Sequence, residues 1–176
     1  MAIDESRAFV PINIAVLTVS DTRTPETDSS GDILADRIAD AGHVLAARTI
    51  AKDNASTLVE QFDAWIDDPQ IDAIISTGGT GLTGRDVTPE ALSMISGGRD
   101  IPGFGELFRW LSFETIGTST IQSRACAIVA RGTYLFALPG SNGAVKDGWD
   151  GILAQQLDSR NRPCNFVELM PRLREA

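Results

Sequence analysis

The stretch ISTGGTGLTGRDVTPEAL, residues 75–92, joins three local signals that together decide the fold. It contains the end of an apolar strand, then four glycines and an aspartate, and then the sequence Thr-Pro-Glu. Thr88 followed by Pro89 predicts a short helix that is capped by the threonine and ends near the glycine pair 97–98. We expect a phosphate to explain the glycines, because exposed backbone N–H groups at the carboxyl end of a parallel strand can surround an anion.

Upstream of the glycine loop, strand and helix signals alternate. β-branched and apolar runs predict strands, and apolar residues at helical spacing before Pro69 predict a helix. In chain order we expect a strand at 12–19, a helix with Ser29 or Ser30 near its cap, a strand at 44–51, a helix capped by Asn54 or Ser56, and a strand at 71–77. This β-α-β-α-β order requires a parallel sheet with helices on both faces.

The second half of the chain predicts an antiparallel addition to that sheet. Residues 124–130 and 134–138 are strand-like runs separated by three residues, which favours an antiparallel hairpin beside the parallel strands. Helices are expected around Phe104, Leu107, Phe108 and Leu111, and from Val145 to Leu157 with a break near Pro163. We therefore expect one α/β domain over residues 1–176, with a mostly parallel central sheet and an antiparallel edge hairpin.

Composition and charge limit the partners. The 176 residues carry a formal net charge of −9 without clustered lysine or arginine, which argues against a nucleic acid or a membrane surface. A small anion remains compatible, because charges more than about 8 Å apart are screened at physiological salt. Cys126 and Cys164 lack metal-ligand spacing, and the amino terminus lacks the basic and apolar parts of a secretory signal. We expect a cytoplasmic protein with reduced thiols.

Acidic and hydroxyl side chains follow the predicted strands. Asp53 follows the second strand and Asp86 the third, so both carboxylates should emerge at one sheet edge, where Mg²⁺ could bind with waters and substrate phosphates. Ser141 follows the last strand and begins a helix whose free N–H groups favour an anion. Each feature also has a plain structural interpretation, namely a tight glycine turn, a helix cap by Asp86 and an N-cap by Ser141. Their convergence at one edge indicates a ligand site.

Other chemistries fit the sequence less well. Residues 79–84 match the GxGxxG pattern, but the helix signal comes only at Thr88, so an NAD-binding oxidoreductase is a hypothesis that rests on this match alone. No GxxxxGK[ST] motif occurs, which excludes a P-loop. His43 is the only histidine and is expected to be a turn residue, so a histidine-containing triad or metal site lacks its parts.

Seven short motifs resemble, in order, those of a known family. They are TVSD (18–21), DSSG (28–31), TGGTG (77–81), RDVTPEAL (85–92), PGFGE (102–106), SRA (123–125) and LPGS (138–141). They are similar to motifs of the MoaB/MogA family of molybdenum cofactor biosynthesis proteins, which is related to the G domain of gephyrin. GTSTIQSRA (117–125) and LDSRNRPCNF (157–166) resemble the MoaB branch in particular.

The resemblance implies a three-layer α/β/α sandwich, a homo-oligomer (trimer or hexamer), a molybdopterin site and, in catalytic relatives, adenylylation of molybdopterin with MgATP. By position, Asp53 and Asp86 match the acids linked to Mg²⁺ and to adenylyl transfer. The residues that match substrate- or nucleotide-binding motifs are Ser20, Asp21, Ser30, Gly31, Gly78, Gly79, Thr80, Gly81, Ser123, Pro139, Gly140 and Ser141. Relatives often have proline near Asn142 and Gly143, so the contact with the terminal phosphate is expected to differ here. The alternative function is that of a non-catalytic molybdopterin-binding or carrier protein.

Overall fold

A computed structural model describes residues 3–173 and 175, and a six-stranded sheet forms its centre. The strands are β1 (Asn13–Val19), β2 (Val44–Ala51), β3 (Ala73–Thr77), β4 (Arg99–Asp100), β5 (Cys126–Ala130) and β6 (Thr133–Leu138). The α-helices are α1 (Ser29–Asp40), α2 (Ala55–Ile66), α3 (Thr88–Ser93), α4 (Pro102–Ile116), α5 (Asn142–Gly148), α6 (Ala154–Gln156) and α7 (Phe166–Leu169). Short 3₁₀ turns lie at Pro25–Thr27, Gly117–Gln122 and Met170–Arg172, and a π-helical segment, Trp149–Leu153, joins α5 to α6.

The strand order is β2-β1-β3-β6-β5-β4, and the first four strands in that order are parallel to one another. β5 is antiparallel to β6, and β4 is antiparallel to β5. The predicted parallel sheet with an antiparallel hairpin is therefore confirmed, with the short strand β4 added outside the hairpin. The direction of strand order reverses between β1 and β3, which is where open α/β sheets bind ligands.

Helices cover both faces of the sheet because strand side chains alternate between two cores. Ile14 and Val16 of β1 pack with α1, α4 and α5 on one face, whereas Ala15 and Leu17 pack with α2 and α3 on the other. Strands that are buried on both faces are mostly apolar, which explains the composition of β1. The three-layer α/β/α arrangement implied by the family resemblance is confirmed.

A two-residue turn closes the hairpin. Arg131 and Gly132 both have positive φ, at 52° and 97°, as the tight turns that match the twist of paired strands require. Thr133 already belongs to β6, so the connection is one residue shorter than the sequence pattern predicts.

The caps of the first two helices follow from side-chain hydrogen bonds. Asp28, rather than Ser29 or Ser30, caps α1, because its carboxylate accepts the N–H of Gly31 at 3.1 Å. Asn54 caps α2, which decides between the two predicted residues. A serine pair beside an aspartate does not show from sequence alone which side chain turns back to the helix.

The prediction that Thr88 caps α3 is wrong. Thr88 is the first residue of the helix, and its hydroxyl donates a hydrogen bond to the Gly78 carbonyl at 2.9 Å. α3 ends at Ser93, before the glycine pair 97–98. The threonine therefore ties the start of α3 to the glycine loop.

His43, predicted as a turn residue, directly follows the turn at residues 41–42 and is buried. It is 7% exposed, and its Nδ1 accepts the N–H of Ile12 at 3.2 Å. Its ring packs against Phe9 with centroids 5.1 Å apart. Burial lowers the pKa of His43, so the imidazole is neutral and acts as an acceptor inside the fold.

Candidate functional site

The loops after β1, β3 and β6 meet at the carboxyl edge of the parallel strands. Gly78 donates its N–H to the Leu138 carbonyl at 2.9 Å, and the Thr77 hydroxyl donates to the Pro139 carbonyl at 3.1 Å. A Cβ atom on Gly140 would lie 3.3 Å from the Cα of Gly78, which leaves little room for a side chain between these two loops. Glycine at both positions lets the two backbones approach each other closely.

The glycine loop also brings Asp53 and Asp86 to one place. A Cβ atom on Gly79 would lie 2.9 Å from Oδ1 of Asp53, and one on Gly81 would lie 2.8 Å from Oδ2 of Asp86. The two carboxylates therefore border neighbouring parts of one loop. This placement agrees with the expectation that both emerge at one sheet edge.

Asp86 is a hydrogen-bonded carboxylate and does not cap α3. Its Oδ2 accepts the hydroxyl of Thr83 at 2.7 Å and the N–H of Thr83 at 2.8 Å, and the N–H of Gly81 also donates to it. These bonds, the hydroxyl first, together with the charge of Arg124, hold the pKa of Asp86 below its ordinary value. Asp86 is therefore an anion at neutral pH.

Asp53 lies in the opposite kind of environment. Burial raises the pKa of Asp53, and the negative charge of Asp86 raises it further. Partial burial and a neighbouring negative charge both make the ionised form of a carboxylate less stable. A cation between Asp53 and Asp86 would offset this loss of stability.

Two carboxylates fit a magnesium ion that keeps most of its water and phosphate ligands. Mg²⁺ in phosphate-handling sites is usually held by one or two carboxylates plus substrate oxygens. Within residues 3–173 and 175, no group of three or more His, Cys, Asp or Glu side chains could hold a metal ion. Asp53 and Asp86 therefore suit Mg²⁺ that arrives with a phosphate, rather than a metal enclosed by protein ligands alone.

Arg124 fixes the shape of the glycine loop. Its backbone N–H donates to the Thr80 carbonyl at 2.9 Å, and its guanidinium donates to the Gly81 and Asp86 carbonyls, each at 2.7 Å. The same guanidinium forms an ion pair with Glu90 of α3. One arginine therefore holds both ends of the segment that carries Asp86.

Two amides of this loop are unpaired within the protein. In the described part of the chain, the N–H groups of Gly79 and Thr80 have no protein acceptor. Gly79 has a φ of 64°, and a left-handed residue inside a turn directs successive N–H groups toward one concave surface. The loop thus offers main-chain donors that a phosphate oxygen can accept.

A cavity of about 380 Å³ opens beside the glycine loop. Five of the residues predicted from the family motifs line it: Thr80, Gly81, Ser123, Pro139 and Ser141. α4, the following 3₁₀ turn and α5 add polar residues that the sequence analysis missed: Ser112, Thr115, Ser119, Thr120, Gln122 and Asp147. Ser119, Thr120 and Gln122 lie in the GTSTIQSRA stretch, so their position in that motif was the available signal. Ser112, Thr115 and Asp147 lie on helices outside the quoted motifs and had no such signal.

A second cavity, of about 620 Å³, lies between the loop after β1 and the edge strand β2. Ser20 and Asp21 line this cavity, together with the cationic side chains of Arg23, Arg48 and Lys52. Seven of the predicted binding residues are therefore divided between two cavities. The other five line neither cavity: Ser30, Gly31, Gly78, Gly79 and Gly140.

Asp28 is the buried centre of the DSSG motif. Its carboxylate accepts the Thr18 hydroxyl and the Arg48 guanidinium, each at 2.8 Å, and Arg23 at 3.3 Å. Burial alone would raise the pKa of Asp28, but the hydrogen bonds from Arg48, Thr18 and the Gly31 N–H outweigh it and lower the pKa. The motif thus contains a buried carboxylate that is paired with two arginines.

Ser30 and Gly31, both predicted as binding residues, are buried beside this carboxylate. Ser30 Oγ accepts a hydrogen bond from Arg23, and it lies 3.4 Å from the Thr77 hydroxyl. Arg23 extends beyond Ser30 and donates to the Gly140 carbonyl at 2.8 Å. Ser30 therefore holds Arg23 at the site edge, Gly31 bonds to Asp28, and both residues are buried rather than open to a ligand.

Replacing Asp28 with asparagine should destabilise the fold in a pH-dependent way. The lowered pKa means that ionised Asp28 stabilises the protein above the unfolded value of about 3.9, and this contribution is lost as pH falls through the folded pKa. We expect Asp28→Asn to lower the free energy of unfolding by about 2 kcal/mol at pH 7 and by much less at pH 3. Urea unfolding at both pH values tests this, and an equal loss at both would contradict it.

Three arginines complete the site, and the sequence analysis missed all of them. Arg23 and Arg48 hold Asp28, and Arg124 holds the glycine loop. Arg23 lies two residues after the TVSD motif and Arg124 lies inside SRA, so their place at or near a motif was the available signal. Arg48 lies on a strand without a motif, so no signal in the sequence indicated it.

Residues 79–84 do not form a dinucleotide fingerprint. In that fingerprint the helix opens at the glycines, whereas here α3 begins at Thr88, after a loop that Arg124 and Asp86 organise. The structure therefore gives the NAD-binding hypothesis no support.

The fold and the site together define a class of protein. It is an α/β protein with a glycine loop, two neighbouring carboxylates and basic residues at the ends of parallel strands, and it is suited to a phosphorylated ligand.

Residues 15–159 match the family described as "Probable molybdopterin binding domain". The chain is 50% identical over 161 residues to Molybdenum cofactor biosynthesis protein B of Escherichia coli (strain K12), covering 92% of this chain and 94% of that protein. It is 42% identical over 160 residues to the protein of the same name from Bacillus subtilis (strain 168), covering 89% and 94%.

Solved structures agree with these sequence matches. The crystal structure of a Molybdenum cofactor biosynthesis protein B has a TM-score of 0.85 and 33% identity, covering 97% of this chain and 100% of that one. The tungsten cofactor synthesizing protein MoaB from Pyrococcus furiosus has a TM-score of 0.72 and 29% identity, covering 94% and 98%. The chain belongs to the MoaB/MogA family of molybdenum cofactor biosynthesis proteins.

Proposed function

We propose that this protein binds molybdopterin and transfers an adenylyl group to it from MgATP, as its part in molybdenum cofactor biosynthesis. An oxygen of the terminal phosphate of molybdopterin attacks the α-phosphorus of ATP and forms a new P–O bond. The bond between the α-phosphorus and the bridging oxygen breaks, and pyrophosphate leaves with that oxygen. We place this reaction in the cytoplasm, where the free thiols of Cys126 and Cys164 stay reduced.

The observation that carries the proposal is the placement of Asp53 and Asp86 at the glycine loop. The reaction joins two anions, and proteins accelerate such transfers mainly by positioning the reactants and stabilising charge. When bound, Mg²⁺ supplies positive charge between the phosphates. The raised pKa of Asp53 fits this role, because a cation offsets the burial and the like charge that raise it.

The remaining groups of the site bind and orient in this proposal. The free amides of Gly79 and Thr80 donate to phosphate oxygens, and Arg124 keeps their loop in place. The hydroxyls of Ser123 and Ser141 line the 380 Å³ cavity, which we assign to the pterin. A lining rich in hydroxyl groups can both donate to and accept from the nitrogen and oxygen atoms of such a ring.

The test is release of pyrophosphate when the purified protein is mixed with molybdopterin and MgATP. We expect release that requires both substrates and Mg²⁺, and that falls strongly in the Asp86→Asn variant. Bound molybdopterin without pyrophosphate would contradict adenylyl transfer and support the carrier function.

One observation favours the carrier alternative. The carboxylate of Asp86 already accepts hydrogen bonds from Thr83 and Gly81, so part of its capacity to bind a cation is used within its own loop. A protein that only binds molybdopterin needs the cavity and the free amides. It does not need Asp86 to exchange its hydrogen bonds for a metal ion. The pyrophosphate assay separates the two functions.

We also propose that the protein assembles with copies of itself through the outer face of α4. No helix in the described part of the chain is long and apolar enough to cross a membrane, yet this face exposes large apolar side chains. They are Leu107, Trp110, Phe113 and Ile116 of α4 and Ile121 of the next turn, with Trp110 63% and Ile121 80% exposed. Contiguous apolar surface of this kind is typical of an interface. Leu107, one of the residues that predicted this helix, is therefore on its outer face.

Substitution of Trp110 and Ile121 by glutamate should dissociate the assembly. Two charges would be buried unpaired in an apolar contact, which is strongly unfavourable. Light scattering should give a multiple of 18.8 kDa for the unsubstituted chain and a smaller mass for the double variant. The exposed residue Asp36 on α1 provides the control Asp36→Asn, which should leave the mass unchanged. A monomeric unsubstituted chain would contradict the proposal.

A further inference from the structure

An ion pair between Arg85 and Asp21 joins two loops at the site, and the function proposed above gives Arg85 no role. Arg85 directly precedes Asp86 in the loop after β3, and Asp21 lies in the loop after β1. β1 and β3 are neighbours in the sheet, so the pair spans the crevice where the strand order reverses. Asp21 also lines the 620 Å³ cavity.

This pair is easy to break because the arginine side of it is open to water. The side chain of Arg85 is 73% exposed and that of Asp21 is 26% exposed. Ion pairs at such exposure contribute about 0–1 kcal/mol. A phosphate offers a guanidinium the same two parallel charge-assisted hydrogen bonds as a carboxylate, with a greater negative charge. Exchange of the aspartate for a phosphate is therefore favourable.

The two arginines that line the 620 Å³ cavity, Arg23 and Arg48, already form ion pairs. Both bind the buried Asp28, and recruiting either of them to a ligand would break an ion pair with that buried carboxylate. Lys52 forms no ion pair with any described residue. Arg85 and Lys52 are thus the cations that an entering anion can recruit without breaking a buried pair.

We propose that Arg85 is a phosphate-binding residue and that Asp21 occupies its guanidinium until a phosphate group enters the crevice. The phosphate belongs to the nucleotide or to the pterin, and the recognition chemistry is the same for both. Asp21, which the family motif suggested as a ligand contact, competes with the ligand instead. This inference rests on the proposed function only for the identity of the phosphate compound.

The test is whether substitutions of Arg85 and of Asp21 change the affinity for an anion in opposite directions. Calorimetric titration with inorganic tripolyphosphate at fixed ionic strength should show Arg85→Ala weakening binding about tenfold. Asp21→Asn should tighten binding about threefold, because it removes both the competitor and a repelling charge. Arg85→Lys should lie between wild type and Arg85→Ala. Arg37→Ala, which breaks an ion pair with Asp150 outside the site, should have no effect.

Two further titrations, with ATP and with molybdopterin, identify the compound that carries the phosphate. It is the ligand whose affinity falls in Arg85→Ala and rises in Asp21→Asn. Weaker binding in both the Arg85→Ala and Asp21→Asn variants would mean that the pair is a structural bridge and would overturn the proposal. Unchanged tripolyphosphate affinity in Arg85→Ala would also overturn it. Opposite shifts without pyrophosphate release would leave this proposal standing and remove adenylyl transfer.

Discussion

Replacement of Asp53 by asparagine is expected to lower the rate of adenylyl transfer about a hundredfold to a thousandfold while molybdopterin stays bound. The substitution keeps the size of the side chain and removes a charge that, in the proposed function, would hold Mg²⁺ at the glycine loop. Asp53 borders Gly79 and does not line the 380 Å³ cavity, so pterin affinity should change little. Pyrophosphate release at saturating MgATP measures the rate, and pterin fluorescence measures binding.

Ser141→Ala should have the reverse effect. Ser141 lines the 380 Å³ cavity, and its hydroxyl oxygen caps α5 by accepting the N–H of Ala144 at 3.2 Å. Its loss should weaken pterin binding about tenfold and cost about 1 kcal/mol of stability. Asp36→Asn on the exposed face of α1 is the matched control for Asp53→Asn. Equal losses of rate and binding in both site variants would contradict the division of roles.

Gly78→Ala should destabilise the whole protein by more than about 3 kcal/mol, which corresponds to a melting temperature lowered by about 6–12 °C. Gly78 has a φ of 107°, a conformation that side chains with a Cβ rarely adopt. The added Cβ would also overlap the Val19 carbonyl oxygen, which belongs to the neighbouring strand. Neither atom can move without disturbing the centre of the sheet.

Gly84 provides a matched control inside the same loop. Its φ is not positive, and a Cβ there would have no heavy atom within 4 Å. We expect Gly84→Ala to change stability by less than about 0.5 kcal/mol, or to raise it slightly by restricting the unfolded chain. Thermal unfolding of both variants under one condition compares them. Similar losses for the two would mean that loop flexibility in general, rather than the contact at Gly78, is what the fold requires.

The fold was predictable because its signals are local and periodic. The apolar strands at 44–51 and 71–77, and helical spacing before Pro69, identify the repeating β-α unit without any tertiary information. Helix boundaries were less predictable, because a capping side chain can form a different hydrogen bond in the folded protein. Thr88 has the sequence pattern of a cap, but its hydroxyl donates to the Gly78 carbonyl, ten positions away. Such a contact does not show in a local pattern.

The site was only partly predictable, for a geometric reason. Strand order places Asp53 and Asp86 at one edge, and this follows from topology alone. The separation of Ser20 and Asp21 from Ser123 and Ser141 into two cavities depends on how loop backbones turn, which motif order does not contain. The roles of these residues in ligand binding and catalysis stay predictions until the experiments above are done.

Backbone contact between Gly78 and Gly140 leaves no side chain to rearrange where the two loops meet. The Gly78 amide is already bonded to Leu138, so its hydrogen should exchange slowly with solvent even in the ligand-free protein. A ligand that binds beside this contact meets main-chain groups held in position, and little conformational entropy is lost on binding. Discrimination among ligands would then come from their fit to a rigid cleft rather than from closure of a loop over them.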